Sequence, residues 1–251
     1  MSLLDRILAC NNGKDTSNYF PFCVADTQIG WIHRQFASAL APFVGIFERD
    51  DVEIALSSGL IDYRARTDAV DSALRLIDQA EWFSAWRDEP YPVGTGFYTP
   101  PLFEMERVAV PRFGVQAFGV HINGFVRDGD RIFMWIARRA DDKPTYPGML
   151  DNMIAGGQPV GIGLKENVIK EAGEEAGVPR ELAATAKPVG ALSYRHEEDN
   201  MLKPDVMFIY DLELPADFVP RNMDGEAAEF RLLPVEQVLQ ITADTADFKF
   251  N

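Results

Sequence analysis

Three acidic residues, Glu171, Glu174 and Glu175, crowd the end of the segment "AGGQPVGIGLKENVIKEAGEEAGV", Ala155 to Val178. Side chains at i, i+3 and i+4 share a helix face, so the spacing predicts a cluster of carboxylates if the segment is helical. At about 100° per residue the three acids fall within a sector of about 100°, while Ile169, Ala172 and Ala176 take a separate apolar sector. A solvated acidic face is the plain alternative. Against it, like charges at these spacings repel, and the acids lie at the carboxyl end of the predicted helix, where its dipole disfavours them. An all-oxygen ligand set points to a hard cation, Mg²⁺ or Mn²⁺. The preceding glycines, Gly156, Gly157, Gly161 and Gly163, leave room for close backbone approach by a ligand. A hard cation beside such a loop suggests a phosphate-bearing substrate. His33, His121 and His196 are too scattered to suggest zinc.

The predicted helix, about Leu164 to Ala176, follows two strand patterns, "QAFGVHINGFVRD" and "RIFMWIARRA", joined by the turn Asp128-Gly129-Asp130. Two further strands, "KPVGALSYRHE" and "DVMFIYDLELP", and a helix at Leu233 to Ile241 complete this half. Before it, "DAVDSALRLIDQAEWFSAWRDE" (Asp68 to Glu89) predicts a helix, "HRQFASALAPF" a shorter one, and "DVEIAL" a strand. The texture changes at the loop "YPVGTGFYTPP". The fold class expected is therefore α+β: an amino-terminal α+β extension domain over 1–110, then a second module over 111–251 whose mixed sheet lies between helices.

The bulk composition narrows the classes of partner. With 24 Lys and Arg against 39 Asp and Glu, the formal charge of −15 opposes a general affinity for nucleic acid or an anionic membrane surface. No apolar run is long enough to span a bilayer, and "MSLLDRILACNNGKD" does not read as a signal peptide. The two cysteines, Cys10 and Cys23, fit no metal spacing and suggest a reducing compartment, with cytoplasm the expectation.

From Gly156 to Val178 the segment resembles the Nudix box, G-x5-E-x7-R-E-U-x-E-E-x-G-U, where U is a bulky aliphatic residue. Gly156, Glu171, Glu174, Glu175, Gly177 and Val178 match. Ile162 stands at the first glutamate position, Lys170 at the arginine and Ala172 at the aliphatic before the double acid. In the family that glutamate and arginine pair to brace the loop against the helix. Losing the acid would strand a buried arginine, so a lysine able to reach solvent reads as a matched change. The segments "WFSAWRDEPYPV", "GVHINGFV", "LDNMIAGGQP", "YDLELPADFVP" and "DGEAAEFRLLPVEQV" are similar to the subfamily related to thiamine pyrophosphokinase, which carries an amino-terminal module of its own.

The resemblance implies a Nudix α/β/α sandwich, Mg²⁺ or Mn²⁺ on Glu171, Glu174 and Glu175, and hydrolysis of a small-molecule diphosphate such as thiamine diphosphate or its oxidised forms. It also implies a homodimer and a further acid from outside the box, for which Glu226 and Glu229 are the candidates. Backbone at Gly156 and Gly157, together with Arg112, Arg195 and His196, are candidates for substrate contact. Trp31, Trp82, Trp86, Phe97 and Tyr98 are candidates for stacking, although paired tryptophans more often serve a core. Two rival readings stay open: a nucleotide-sugar or dinucleotide pyrophosphatase, and a non-catalytic module that senses a diphosphate.

Overall fold

The structure is a computed structural model that describes residues 2–83 and 86–250. It forms two compact units that interleave along the chain. One comprises Met1–Cys10, Gly119–Leu192 and Met207–Asn251; the other comprises Asn11–Phe118 and Ser193–Val206. A single cut near residue 110 does not anticipate this exchange of two short segments.

The chain opens with α1 (Leu3–Cys10), which packs on the last helix of the first unit. The second unit then begins with β1 (Tyr19–Val24), β2 (Thr27–His33), α2 (Arg34–Leu40), β3 (Phe47–Arg49) and β4 (Ile54–Leu56). These strands form a mixed sheet in the order β2-β1-β4-β3, with β1 and β4 parallel. Next come α3 (Tyr63–Asp78), β5 (Pro90–Val93), β6 (Phe103–Glu106) and α4 (Val110–Phe113). Phe22, Phe36 and Phe113 meet at the centre of the core.

The helix expected over Asp68 to Glu89 starts earlier and stops sooner. The Asp62 side chain accepts the Ala65 N–H at 2.8 Å and caps α3 at its amino end. Beyond Asp78 the chain turns, with Glu81 at φ 57°. Residues 84 and 85 of the expected helix lie outside the described residues. Trp82 and Trp86 are thus not a helical pair; both pack against the aromatic core of this unit.

The first unit resumes with β7 (Phe118–Asp128) and β8 (Arg131–Arg139), an antiparallel hairpin that turns at Gly129 with φ 61°. After β9 (Leu150–Asn152) and β10 (Ile154–Gly157) come α5 (Leu164–Ala176), α6 (Arg180–Ala183) and β11 (Lys187–Ser193). Between β11 and the next strand of its sheet, β12 (His196–Glu198) and β13 (Met201–Lys203) form a hairpin that belongs to the second unit. The strand expected over "KPVGALSYRHE" thus breaks after Ser193, and Asp199 and Asn200 adopt φ 53° and 60°, a conformation their short polar side chains tolerate, and close that hairpin. β14 (Val206–Glu213), β15 (Ala227–Pro234) and α7 (Val235–Asp244) complete the chain.

The large sheet runs β11-β14-β7-β8-β15, with β10 added to β7 and β9 to β8. Side chains alternate between its faces. Val120, Ile122 and Trp135 pack with Val168, Ile169 and Ala172 of α5, whereas Ile136 and Leu150 pack with Val238 of α7. Helix on one face, sheet, and helix on the other give the α/β/α arrangement. Burying Val168 and Ile169 supplies about 2 kcal/mol each toward docking α5. The fully buried Ala172 and Ala176 let the helix approach the sheet closely.

Candidate active site

Helix α5 carries Glu171, Glu174 and Glu175, and its position fixes theirs. Gly177 stops it in the left-handed conformation (φ 64°, ψ 26°), and the Val178 N–H returns to the Ala172 carbonyl at 3.0 Å. At the other end Arg180 grips Glu166 through two hydrogen bonds, at 2.7 and 2.9 Å.

The loop before α5 is braced without any charge. Asn167, fully buried, donates to the Gly157 carbonyl at 2.8 Å and to Gln158 Oε1 at 3.1 Å. Gln158, 2% exposed, donates to the Ile162 carbonyl at 2.6 Å. Two neutral amides thus tie the loop to the helix across the stretch where Ile162 supplies no acid. Lys170 is neither buried nor unpaired. Its side chain is 38% exposed, and Nζ lies 3.0 Å from Glu171 Oε1 and 2.8 Å from Glu174 Oε2. Burial would lower its pKa, but the two carboxylates raise it above the ordinary lysine value.

Glu171 leaves the solvent and lies against β10. A Cβ built on Gly156 would come within 2.2 Å of the Glu171 Cδ. The room that this glycine leaves is therefore filled by a carboxyl group of the protein itself. Gly156→Ala is expected to fold at a cost of about 1–3 kcal/mol, because the buried Glu171 must move, its Cγ at 2.4 Å as well as its carboxyl. The displaced Glu171 should lower catalytic efficiency at least about tenfold. Thermal unfolding and steady-state kinetics on one preparation separate the two effects. Unchanged kinetics would show that the position of Glu171 does not matter.

Glu175 points elsewhere, into a hollow of about 20 Å³ lined by Ala137, Arg139, Asp151, Asn152, Ala155 and Glu226, room for about one water-sized particle. Glu175 Oε2 accepts the Ala155 N–H at 2.9 Å. Burial raises its pKa well above the carboxylate range; the Ala155 bond opposes this, and Glu171, Glu226 and Asp151 add to it. The other acids nearby have cations. Arg139 and Lys249 approach Asp151 Oδ2 at 3.3 and 2.9 Å, and Lys143 approaches Glu226 at 2.6 Å. Burial opposes charge on Asp151, but Lys249 foremost, then His121 and Arg139, overcome it and hold its pKa below the usual value. His121 is buried alongside with its pKa pushed down to about 4, first by burial and then by Lys249, and is neutral near pH 7. Among the described residues no three His, Cys, Asp or Glu side chains are already gathered around a common point for a metal ion.

The other sequence candidates separate clearly. Glu226 lines the hollow with Glu175, whereas Glu229 lies on exposed β15 and pairs with Arg231. Arg112, Arg195 and His196 belong to the second unit. There Arg112 donates to the Asp199 carbonyl at 3.2 Å, and the Arg195 guanidinium sits 5.3 Å from the Trp31 ring centre. His196 pairs with Lys203 across the β12–β13 hairpin. Phe97 and Tyr98 pack edge to face in the same unit. Asp151, Arg139, Lys143 and Lys249 were not singled out in the sequence. An acid inside the apolar run "MLDNMI" is the signal that marks Asp151.

A larger cavity of about 390 Å³ lies in the first unit between β8, β9, α7, α1 and the last residues of the chain. Its lining is mostly apolar, including Ile136, Tyr146, Val238 and Phe248, with Arg6 and Lys249 as its cations. Asn152 lines both this cavity and the hollow.

Residues 117–251, more than half the chain, match the family model described as NUDIX domain. Residues 2–117 match a domain of unknown function, DUF4743. The Arabidopsis thaliana protein "Nudix hydrolase 20, chloroplastic" is 41% identical over 98% of this chain and 69% of its own length. "Nudix hydrolase 24, chloroplastic" of the same plant is 40% identical over 98% of this chain and 68% of its own. Among solved structures, the NUDIX domain of Shewanella oneidensis NrtR, complexed with ADP ribose, is 14% identical, covering 54% of this chain and 82% of that one, with a TM-score of 0.41. No helix among the described residues is long and apolar enough to cross a membrane. By the family model over its second half and by relatives aligned along nearly its whole length, the chain belongs to the Nudix hydrolases.

Proposed function

We propose that this chain hydrolyses the phosphoanhydride bond of a small organic diphosphate, with Mg²⁺ or Mn²⁺ held by Glu171, Glu174 and Glu175. One observation carries the reading. Glu175 is a buried carboxyl group among other acids, accepting a backbone N–H and making no ion pair among the described residues, where Arg139 is engaged by Asp151. A hard cation would supply the missing charge, and the all-oxygen donor set suits one. When bound, such a metal neutralises diphosphate oxygens and lowers the pKa of an attacking water. Glu226, already facing the hollow, is the acid from outside the box best placed to take the proton of that water. Arg139, which also lines the hollow, is placed to meet a phosphate oxygen. Asp151 then acts through Arg139 and Lys249, holding both cations in place.

The adjoining cavity supports an organic substituent on the diphosphate. Its mostly apolar walls suit a flat heterocycle, and thiamine diphosphate and its oxidised forms stay the leading class through the subfamily resemblance. The chemistry is assigned to the module over 111–251, a reading supported by the family match over 117–251. Two free cysteines support a reducing compartment, for which cytoplasm is retained as the proposal. A homodimer belongs to the same proposal and is read by sedimentation against the 28.1 kDa chain mass.

The test is a panel of diphosphates, including thiamine diphosphate, a nucleotide sugar and a dinucleotide, each incubated with Mg²⁺ and with chelator. Metal-dependent release of a monophosphate product is expected, fastest for a cofactor-like diphosphate. Faster turnover of the nucleotide sugar or dinucleotide would move the assignment to that class. Tight saturable binding of one member with no turnover of any would replace the enzyme with a sensor.

A further inference from the structure

We infer that Lys170 is a tethered internal cation that a divalent metal must displace, so that this side chain sets the metal concentration the site needs. The inference rests on the proposed metal-dependent reading. Its basis is the placement of the ammonium, within 3.0 Å of Glu171 and 2.8 Å of Glu174, two of the three carboxylates proposed to hold the ion. One lysine thereby neutralises half of the charge that two acids would offer to a divalent ion.

The reason Lys170 stands there lies in the loop. Ile162 offers no carboxylate to draw a cation away from the acids. The bracing that such a pair would provide is done instead by Gln158 and Asn167, both buried and both neutral. With the loop held independently, the cation at position 170 is free to serve the acids. A single positive charge at this distance stabilises the pair while no metal is bound and opposes the metal's entry by the same attraction. The lysine stem is 38% exposed, so the ammonium can swing into water when the ion arrives without being stranded in the core.

The experiment is Mn²⁺ binding without substrate at one fixed pH, followed by electron paramagnetic resonance of the free ion and by calorimetry. Parent, Lys170→Met, Lys170→Gln, Lys170→Arg and Lys187→Met are compared. Lys187, exposed on β11, controls for the change in net charge. Lys170→Met and Lys170→Gln are expected to bind Mn²⁺ roughly tenfold more tightly, with Lys170→Arg and Lys187→Met near the parent. Their metal-free forms should melt earlier, and Mn²⁺ should raise their melting temperatures more than the parent's. If Lys170→Met does not fold, Lys170→Gln reads the same quantity. Equal or weaker Mn²⁺ binding by the neutral variants would overturn the inference. The metal-dependent function survives that result if Glu175→Gln still abolishes binding. Absence of Mn²⁺ binding by parent and neutral variants alike would overturn both.

Discussion

Replacing Glu175 with glutamine should make the metal-free protein more stable and the enzyme nearly inactive. The carboxyl is raised well above the ordinary value, chiefly by burial and then by Glu171, Glu226 and Asp151. Between the unfolded pKa, near 4.5, and the raised folded pKa, the native state binds more protons than the unfolded state. Stability therefore falls as pH rises through that interval, and the cost persists at higher pH. Below the unfolded value both states are protonated and no cost exists. Glutamine has the shape of the neutral acid and keeps an oxygen for the Ala155 N–H, so it removes the cost. Melting in chelator should show the variant ahead of the parent at pH 7 and level with it near pH 4. Turnover should fall by about a hundredfold or more, the range for losing a positioned acid–base or ligand group. Parent-like turnover, or a variant less stable at pH 7, would remove Glu175 from the role given to it.

Asn167→Ala should produce the largest loss of stability. The side chain is fully buried and holds two acceptors, the Gly157 carbonyl and Gln158 Oε1. Alanine leaves both without this donor and opens a small void, a cost of about 2–4 kcal/mol. For a chain of this size the melting transition should drop by roughly 5–15 °C. Because the loop of residues 157–163 is tied down through the same contacts, its amides should also exchange faster with solvent than those of β7. A drop smaller than about 1 °C would mean that the brace lies elsewhere.

Much of the sheet was legible because its signals are local. The hairpin of β7 and β8 announces itself by two apolar runs and Asp-Gly, and α5 by its separate apolar and acidic sectors. What was hidden depends on distance along the chain. Nothing near residues 193–206 shows that they fold with the second unit, nor does the opening helix show that it joins the first. The long helix was misjudged at both ends. Asp62 captures the Ala65 N–H before the apolar rhythm starts, and Trp82 and Trp86 continue that rhythm by accident while serving a loop.

The site divides in the same way. Glu171, Glu174 and Glu175 share a helix face, as their spacing requires, but the two best buried point to different neighbours. Glu171 fills the space over Gly156, and Glu175 enters the hollow. Spacing fixes a face and cannot fix a rotamer. Arg139, Lys143 and Asp151 lie close along the chain, but Lys249 reaches Asp151 from 98 residues away, so no short window of sequence shows that the acid and its cations meet. The departures at Ile162 and Lys170 were visible as letters; the amide pair that replaces the charged brace became visible only when Gln158 and Asn167 were brought together.

Anomalous diffraction from crystals of the active protein soaked with Mn²⁺ addresses the metal directly. The expected map has its strongest peak within coordination distance of the carboxylates of Glu171, Glu174 and Glu175, with Lys170 Nζ moved away. Turnover in the same crystals with the Mn²⁺ peak remote from those three carboxylates would contradict the assignment.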